Sequence, residues 1–217
     1  MGPGVRVSRD GPRVISGALA GVLLISCQAA VQQAERPPQA RQLHGQGKVH
    51  FVPLGGFPSD AQETLVSHFK NNYGVNIVSL PMIDIERVAF DPSRRQLVAE
   101  ELISLMKRRH PTLLSDPEAI LIGLTSGDMY LRSRPEWRFG FAAGELPRFA
   151  VISSARMEPV NLGDPPNPGQ LQSRLRKMVV KYVGYMYFRL QQSSDRKTVM
   201  YGPILSVADL DSMGEDF

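Results

Sequence analysis

The run Ala119-Ile120-Leu121-Ile122-Gly123-Leu124 constrains the fold more than any other stretch of the chain. It is strand-length and carries no polar residue, so a strand built from it must be covered on both faces. Such coverage calls for helices on a sheet, and the preceding sequence supplies them. Lys48 to Leu54, KVHFVPL, has the β-branched and aromatic content of a strand and stops at Gly55-Gly56. Ser59 with Gln62 three residues on has the form of a capping box, and Ala61, Leu65, Phe69 and Tyr73 recur at helical spacing until Gly74. Val75 to Leu80 follows as a second strand. Asp91-Pro92 then predicts the cap of another helix, with Leu97, Val98, Leu102, Leu105 and Met106 as its apolar stripe. Strand, helix, strand, helix, strand in this order predicts an α/β domain with a mixed, mostly parallel sheet packed by helices.

Beyond the central run, Phe139 to Ala143 and Phe149 to Ser153 read as two short strands separated by Gly144 and Pro147, placed to form a hairpin at the sheet edge. Asn167 and Pro168 sit as N-cap and first residue of a long helix whose apolar face is Leu171, Leu175, Val179, Tyr182, Val183, Met186 and Leu190. Around it, between residues 174 and 197, lie Arg174, Arg176, Lys177, Lys181, Arg189, Arg196 and Lys197 against Asp195 alone. That basic cluster reads either as a solvated helix face or as a surface for an anionic partner such as lipid headgroups or wall polymer.

The start of the chain has a different character. Arg6, Arg9 and Arg13 outweigh Asp10, and an apolar, small-residue run extends from Val14 to Ser26. This is the charged and apolar pattern of an export signal, and the run falls short of the roughly 20 residues a spanning helix needs. Leu24-Ile25-Ser26-Cys27 resembles the lipobox of bacterial lipoproteins, in which cleavage precedes a cysteine that is then lipidated. Cys27 is the sole cysteine, so no intramolecular disulfide can form. Gln28 in place of Asp leans, by resemblance to lipoprotein sorting rules, towards an outer membrane. The expectation is an exported protein held in the cell envelope by lipid on Cys27. Residues 28 to 47 are rich in Gln, Ala, Pro and Arg and cannot bury a core, which predicts a flexible tether. The expected organisation is a signal at residues 1 to 26, a tether at 27 to 47 and a domain at 48 to 217.

Loss of residues 1 to 26 would remove three Arg and one Asp, taking the formal charge from +4 to +2. Nothing in that balance demands nucleic acid. An apolar fraction of 42% suits a globular domain. His44, His50, His68 and His110 show no metal-ligand spacing, no Gly-x-Ser-x-Gly elbow is present, and Gly55-Gly56 reads as a turn rather than a phosphate loop.

Several motifs in fixed order carry a family resemblance. Phe90-Asp91-Pro92-Ser93-Arg94-Arg95-Gln96-Leu97 is followed by Ile120 to Thr125 reaching Asp128-Met129-Tyr130, then Phe139-Gly140-Phe141-Ala142, then Ala150 to Met157. Together they resemble archaemetzincins, zinc metallopeptidases of the metzincin clan. The resemblance implies that the long helix is the former active-site helix, which in that family bears His-Glu-x-x-His-x-x-Gly-x-x-His. Two His one turn apart bind zinc, the Glu is general base, the Gly permits a turn and a third His completes the site. Aligned on Gly184, those positions are held by Lys181, Tyr182, Tyr185, Phe188 and Gln191, so all five are replaced. The cysteines that many members use for a second zinc are missing as well. Thr198 to Pro203 is similar to the segment bearing the methionine turn.

The resemblance therefore implies a binding cleft formed by Phe139, Gly140, Phe141, Ala142, Met200 and Tyr201, with no metal, no cofactor and no catalytic residues. Lys181 would fill the vacated metal space, or act as a base or nucleophile if burial favours its neutral form. The expected function is a membrane-anchored pseudo-peptidase that binds a peptide or envelope protein. The alternative is a divergent zinc-dependent peptidase whose ligands do not align with the family motif; it needs at least three converging ligands, and His50, His68 and His110 fall on different elements, none of them the long helix.

Overall fold

A computed structural model of the chain describes residues 43–217. The expected signal, the lipidation site Cys27 and most of the tether lie outside the described residues. The last part of the tether is not free: Leu43 packs on the core, and the Gln46 amide donates to the Tyr187 carbonyl at 2.9 Å. The domain thus begins before Lys48.

Five strands form the main sheet in the order β2 (Ile77–Ser79), β1 (Lys48–Leu54), β5 (Ala119–Thr125), β8 (Phe149–Ser153) and β7 (Ala142–Glu145). β2, β1, β5 and β8 run parallel, and β7 is antiparallel to β8 at one edge. The apolar run behaves as its composition demands, because every residue of β5 is buried. Ile120, Ile122 and Leu124 face one core, with α1 (Ser59–Tyr73) and α4 (Pro168–Met186). Ala119 and Leu121 face the other, with α2 (Ala99–Arg109). The result is three layers, with each buried Ile, Leu or Val contributing roughly 1.5–3 kcal/mol.

Local sequence signals were followed in some places and overridden in others. Gly74 closes α1 at φ 65°, and its amide donates to the Phe69 carbonyl. Ser59 does not cap α1; Pro58 occupies the cap without a side-chain bond, and Gln62 is buried instead of closing a capping box. Asp91-Pro92 starts no helix. Phe90–Asp91 is β3 and Gln96–Val98 is β4, joined in an antiparallel hairpin whose turn is held by Asp91, which accepts from the Ser93 amide at 2.9 Å and the Ser93 hydroxyl at 2.6 Å. β4 also pairs in parallel with β6 (Met129–Tyr130), forming a small second sheet, and α2 begins only at Ala99, with the short α3 (Pro111–Ser115) after it. Leu97 and Val98 are therefore strand residues. The predicted strand Phe139 to Ala143 is shifted along the chain, since pairing begins at Ala142 and runs to Glu145. Among the described residues no helix is long and apolar enough to cross a membrane.

Candidate binding cleft

Helix α4 positions the cleft. The Asn167 side chain accepts from the Gln170 amide at 3.1 Å, Pro168 occupies the first turn, and Leu175, Val179, Val183 and Met186 bury one face. Lys181 and Tyr185 lie one turn apart, with Tyr182 beside them, and all three line a cleft of about 510 Å³. Its opposite wall is the segment Trp137 to Ala142 leading into β7, and Gln192, Pro203, Ile204 and Leu205 complete it. Tyr182 can pack beneath the edge because residue 144 is glycine: a Cβ there would lie 3.2 Å from the Tyr182 ring.

Lys181 is only 5% exposed. Its ammonium donates to the Tyr201 carbonyl and lies 5.2 Å from the centre of the Tyr185 ring. Burial lowers its pKa from 10.5 to about 8, because taking the charge out of water disfavours the protonated form. Tyr182 and Tyr185 stand edge to face at 5.9 Å. Burial raises both phenols above their ordinary value, with Tyr185 adding to the shift on Tyr182, so both keep their protons at neutral pH. The cleft offers one ammonium and two hydroxyls on aromatic walls.

The other expected site residues divide. Phe139, Gly140, Phe141 and Ala142 line the cleft, but Met200 and Tyr201 do not. Met200 sits under α4, where a Cβ on residue 184 would come 2.6 Å from its sulfur, so Gly184 permits that close approach. Tyr201 contributes only its carbonyl, to Lys181. Phe188 packs against Tyr73, Tyr187 and Phe217, away from the cleft. Gln191 is exposed, and the neighbouring Gln192 lines the cleft in its place. The reason is the end of the helix: α4 stops at Met186 rather than reaching Leu190, and Arg189 turns the chain at φ 56°. Fixed spacing loses its phase there. Met178 lies on α4 itself, one turn before Lys181 and Tyr182, whereas Trp137, Arg138, Ile204 and Leu205 were not legible as cleft residues, because their segments meet α4 only in the folded chain.

An ammonium that donates to a carbonyl, two protonated phenols, a packed phenyl ring and an exposed amide do not fit a zinc ion. His50 and His110 lie close enough for their charges to interact, whereas His68 sits on α1 near Arg176, towards the other core. Among the described residues no three His, Cys, Asp or Glu side chains gather to hold a metal.

The basic cluster is also rearranged by folding. Arg174 is buried and pairs with Asp211 through two bonds of 2.7 Å, Arg176 pairs with Glu215 at 2.8 Å, and Arg196 with Asp209 at 3.1 Å. Lys177 is buried on the Leu210 and Asp211 carbonyls. Most of these cations thus hold the C-terminal segment rather than form a solvated face, and residues 189 to 197 lie beyond the helix.

The domain is a largely parallel sheet ending in one antiparallel edge strand, packed by a long helix with a methionine beneath it. No model of a known protein family matches the chain. The archaemetzincin of Methanocaldococcus jannaschii is 28% identical over 76% of this chain and 84% of its own length. That of Pyrococcus furiosus is 29% identical over 69% and 78% respectively. The crystal structure of the Archaeoglobus fulgidus archaemetzincin superposes with a TM-score of 0.61 at 23% identity, over 78% of this chain and 94% of that one. The described residues form an archaemetzincin-like domain, related to that group of zinc peptidases.

Proposed function

We propose that this chain is an exported lipoprotein anchored through Cys27, whose archaemetzincin-like domain has lost peptidase chemistry and binds peptide or protein segments at the cell envelope, at an outer membrane. The reading rests on one observation above all: buried Lys181 lines the cleft, and the motif resemblance assigns its position to a zinc ligand, so a positive charge stands where a metal ligand would be required. A cation there repels zinc, and the Tyr182 phenol at the general-base position keeps its proton at neutral pH and cannot take one from water. Binding survives the loss of chemistry, because β7 is the end strand of its sheet. A peptide added to that edge gains main-chain hydrogen bonds without any metal. A lipid anchor and a tether would raise the effective concentration of such a module at its membrane.

The experiment combines three measurements on the purified full chain: zinc content by elemental analysis, peptide hydrolysis with and without chelator, and peptide binding. Substoichiometric zinc, no chelator-sensitive hydrolysis and measurable binding are expected. Stoichiometric zinc with chelator-sensitive cleavage would establish the divergent-peptidase alternative instead. Cys27→Ser should move the protein from the membrane to the soluble fraction; retention on the membrane refutes the anchor.

A further inference from the structure

The cleft carries a charge that nothing within the domain balances. Lys181 and Arg138 line it, and among the described residues no acidic one does. Neither takes part in any ion pair among the described residues. The contrast with the same helix is informative. Arg174, Arg176 and Lys177 are held by Asp211, Glu215 and main-chain carbonyls, with two acceptors for Lys177. Lys181 is as buried as Arg174 and Lys177, yet among the described residues only the Tyr201 carbonyl accepts from its three donors. A buried, underused ammonium opening on a cleft is complementary to an anion.

The rest of the cleft defines what bears that anion. Its walls are apolar and aromatic, and Trp137 and Leu205 at the cleft are 44% and 68% exposed. Such large apolar groups left in water mark a surface that an apolar segment covers. The edge strand supplies the third element. The Ser153 amide donates to the Phe141 carbonyl at 2.9 Å, so antiparallel alternation pairs residues 141, 143 and 145 with β8. Ala142 and Gly144 therefore turn their amides and carbonyls away from β8, to the open edge. Only these two residues do so before the chain turns back after Glu145. An edge this short gives a ladder for about three residues of a partner, which suits a chain end better than a segment running through.

We infer that the cleft captures the C-terminal end of an apolar polypeptide, pairing its last residues with Ala142 and Gly144 and placing its terminal carboxylate on the Lys181 ammonium, with Arg138 at the rim. This rests on the peptide-binding reading above and adds the class of ligand to it. A terminal carboxylate continues the main chain, so a strand ending beside β7 delivers it without a side chain having to reach across the cleft. Recognition then combines main-chain bonds, an apolar side chain on Tyr182, Tyr185 and Phe141, and one charge-assisted hydrogen bond.

The test is isothermal titration calorimetry of the full chain with acetyl-Ala-Ala-Val-Leu as free acid, as C-terminal amide, as an amide with an internal Glu, and as the free acid N-methylated at alternate main-chain nitrogens. The free acid is expected to bind roughly tenfold or more tighter than its amide. Lys181→Met should erase that difference, whereas Lys181→Arg, offered in case the first variant fails to fold, should keep it. Equal binding of acid and amide, with loss on N-methylation, overturns the carboxylate inference and leaves peptide binding standing. A Glu-containing amide that matches the acid overturns the chain-end assignment. No binding of any peptide by the unsubstituted protein overturns both readings.

Discussion

Replacing Lys181 by Met should stabilise the domain at neutral pH and destabilise it in alkali. The folded chain holds the Lys181 proton less tightly than the unfolded chain, since its pKa falls from 10.5 to about 8. At about 1.4 kcal/mol per tenfold change in proton affinity, burying the ammonium opposes folding by up to about 3 kcal/mol. That opposition is complete below about pH 8, fades as the pH rises towards about 10.5, and is gone above it. Methionine fills nearly the same volume without the charge, but it leaves the Tyr201 carbonyl without its donor, a loss of about 1 kcal/mol. The net expectation is a gain of about 2 kcal/mol near pH 7, which for a typical slope of about 2 kcal/mol per molar urea moves the midpoint up by about 1 M. Near pH 11 only the lost hydrogen bond remains, and the variant should be the less stable by about 1 kcal/mol. Urea unfolding followed by far-ultraviolet circular dichroism at the two pH values measures both. A loss of stability of similar size at both pH values would refute the reasoning, because it would mean that the ammonium is well solvated or paired in the folded chain.

Gly184→Ala puts a methyl group 2.6 Å from the Met200 sulfur and 2.7 Å from a Phe217 ring carbon, and should cost about 1–3 kcal/mol in thermal or urea unfolding. Shortening the neighbour in Gly184→Ala/Met200→Ala should give a cost smaller than the sum of the two single substitutions; strict additivity would mean that the two residues do not meet. His110 has its pKa held below 6.5, first by burial and then by the nearby His50, so the neutral ring favours folding. The stability it contributes is present above about pH 6.5 and is lost as the pH falls through the lower folded-state value. His110→Gln should therefore flatten the fall in melting temperature between about pH 7 and 5, and an unchanged slope would contradict this.

Where the sequence was legible, one chemical property left one structural option. The unbroken apolar run of β5 could only be a strand covered on both sides, and Gly74 could close a helix because glycine adopts the left-handed backbone at little cost. Asn167-Pro168 likewise admits a helix start and little else. Asp91-Pro92 was ambiguous because the same carboxylate that caps a helix also holds a turn, and the pairing of β4 with β6, distant in sequence, chose the turn. Ser59 lost its capping role because Pro58 already occupied the start of α1.

The candidate site shows the same division. Helical spacing alone put Lys181 and Tyr185 on one face with Tyr182 beside them, and the sequence carries no His or Glu at the positions that the resemblance assigns to the zinc motif there. Which residues oppose them could not be read, since Trp137, Arg138 and Leu205 reach the cleft only when the sheet edge and the segment after α4 close around the helix. Gln192 displaced Gln191 because the helix broke at Met186. The charges changed meaning most. In sequence, Arg174, Arg176, Lys177 and Lys181 are similar cations along one helix. Folding brings Asp211, Glu215 and the 210–211 carbonyls against the first three and no carboxylate to the fourth. Sequence sets how many charges a chain has, but how far each is desolvated and what faces it depend on contacts between distant segments, which is why only the tertiary structure singled out Lys181.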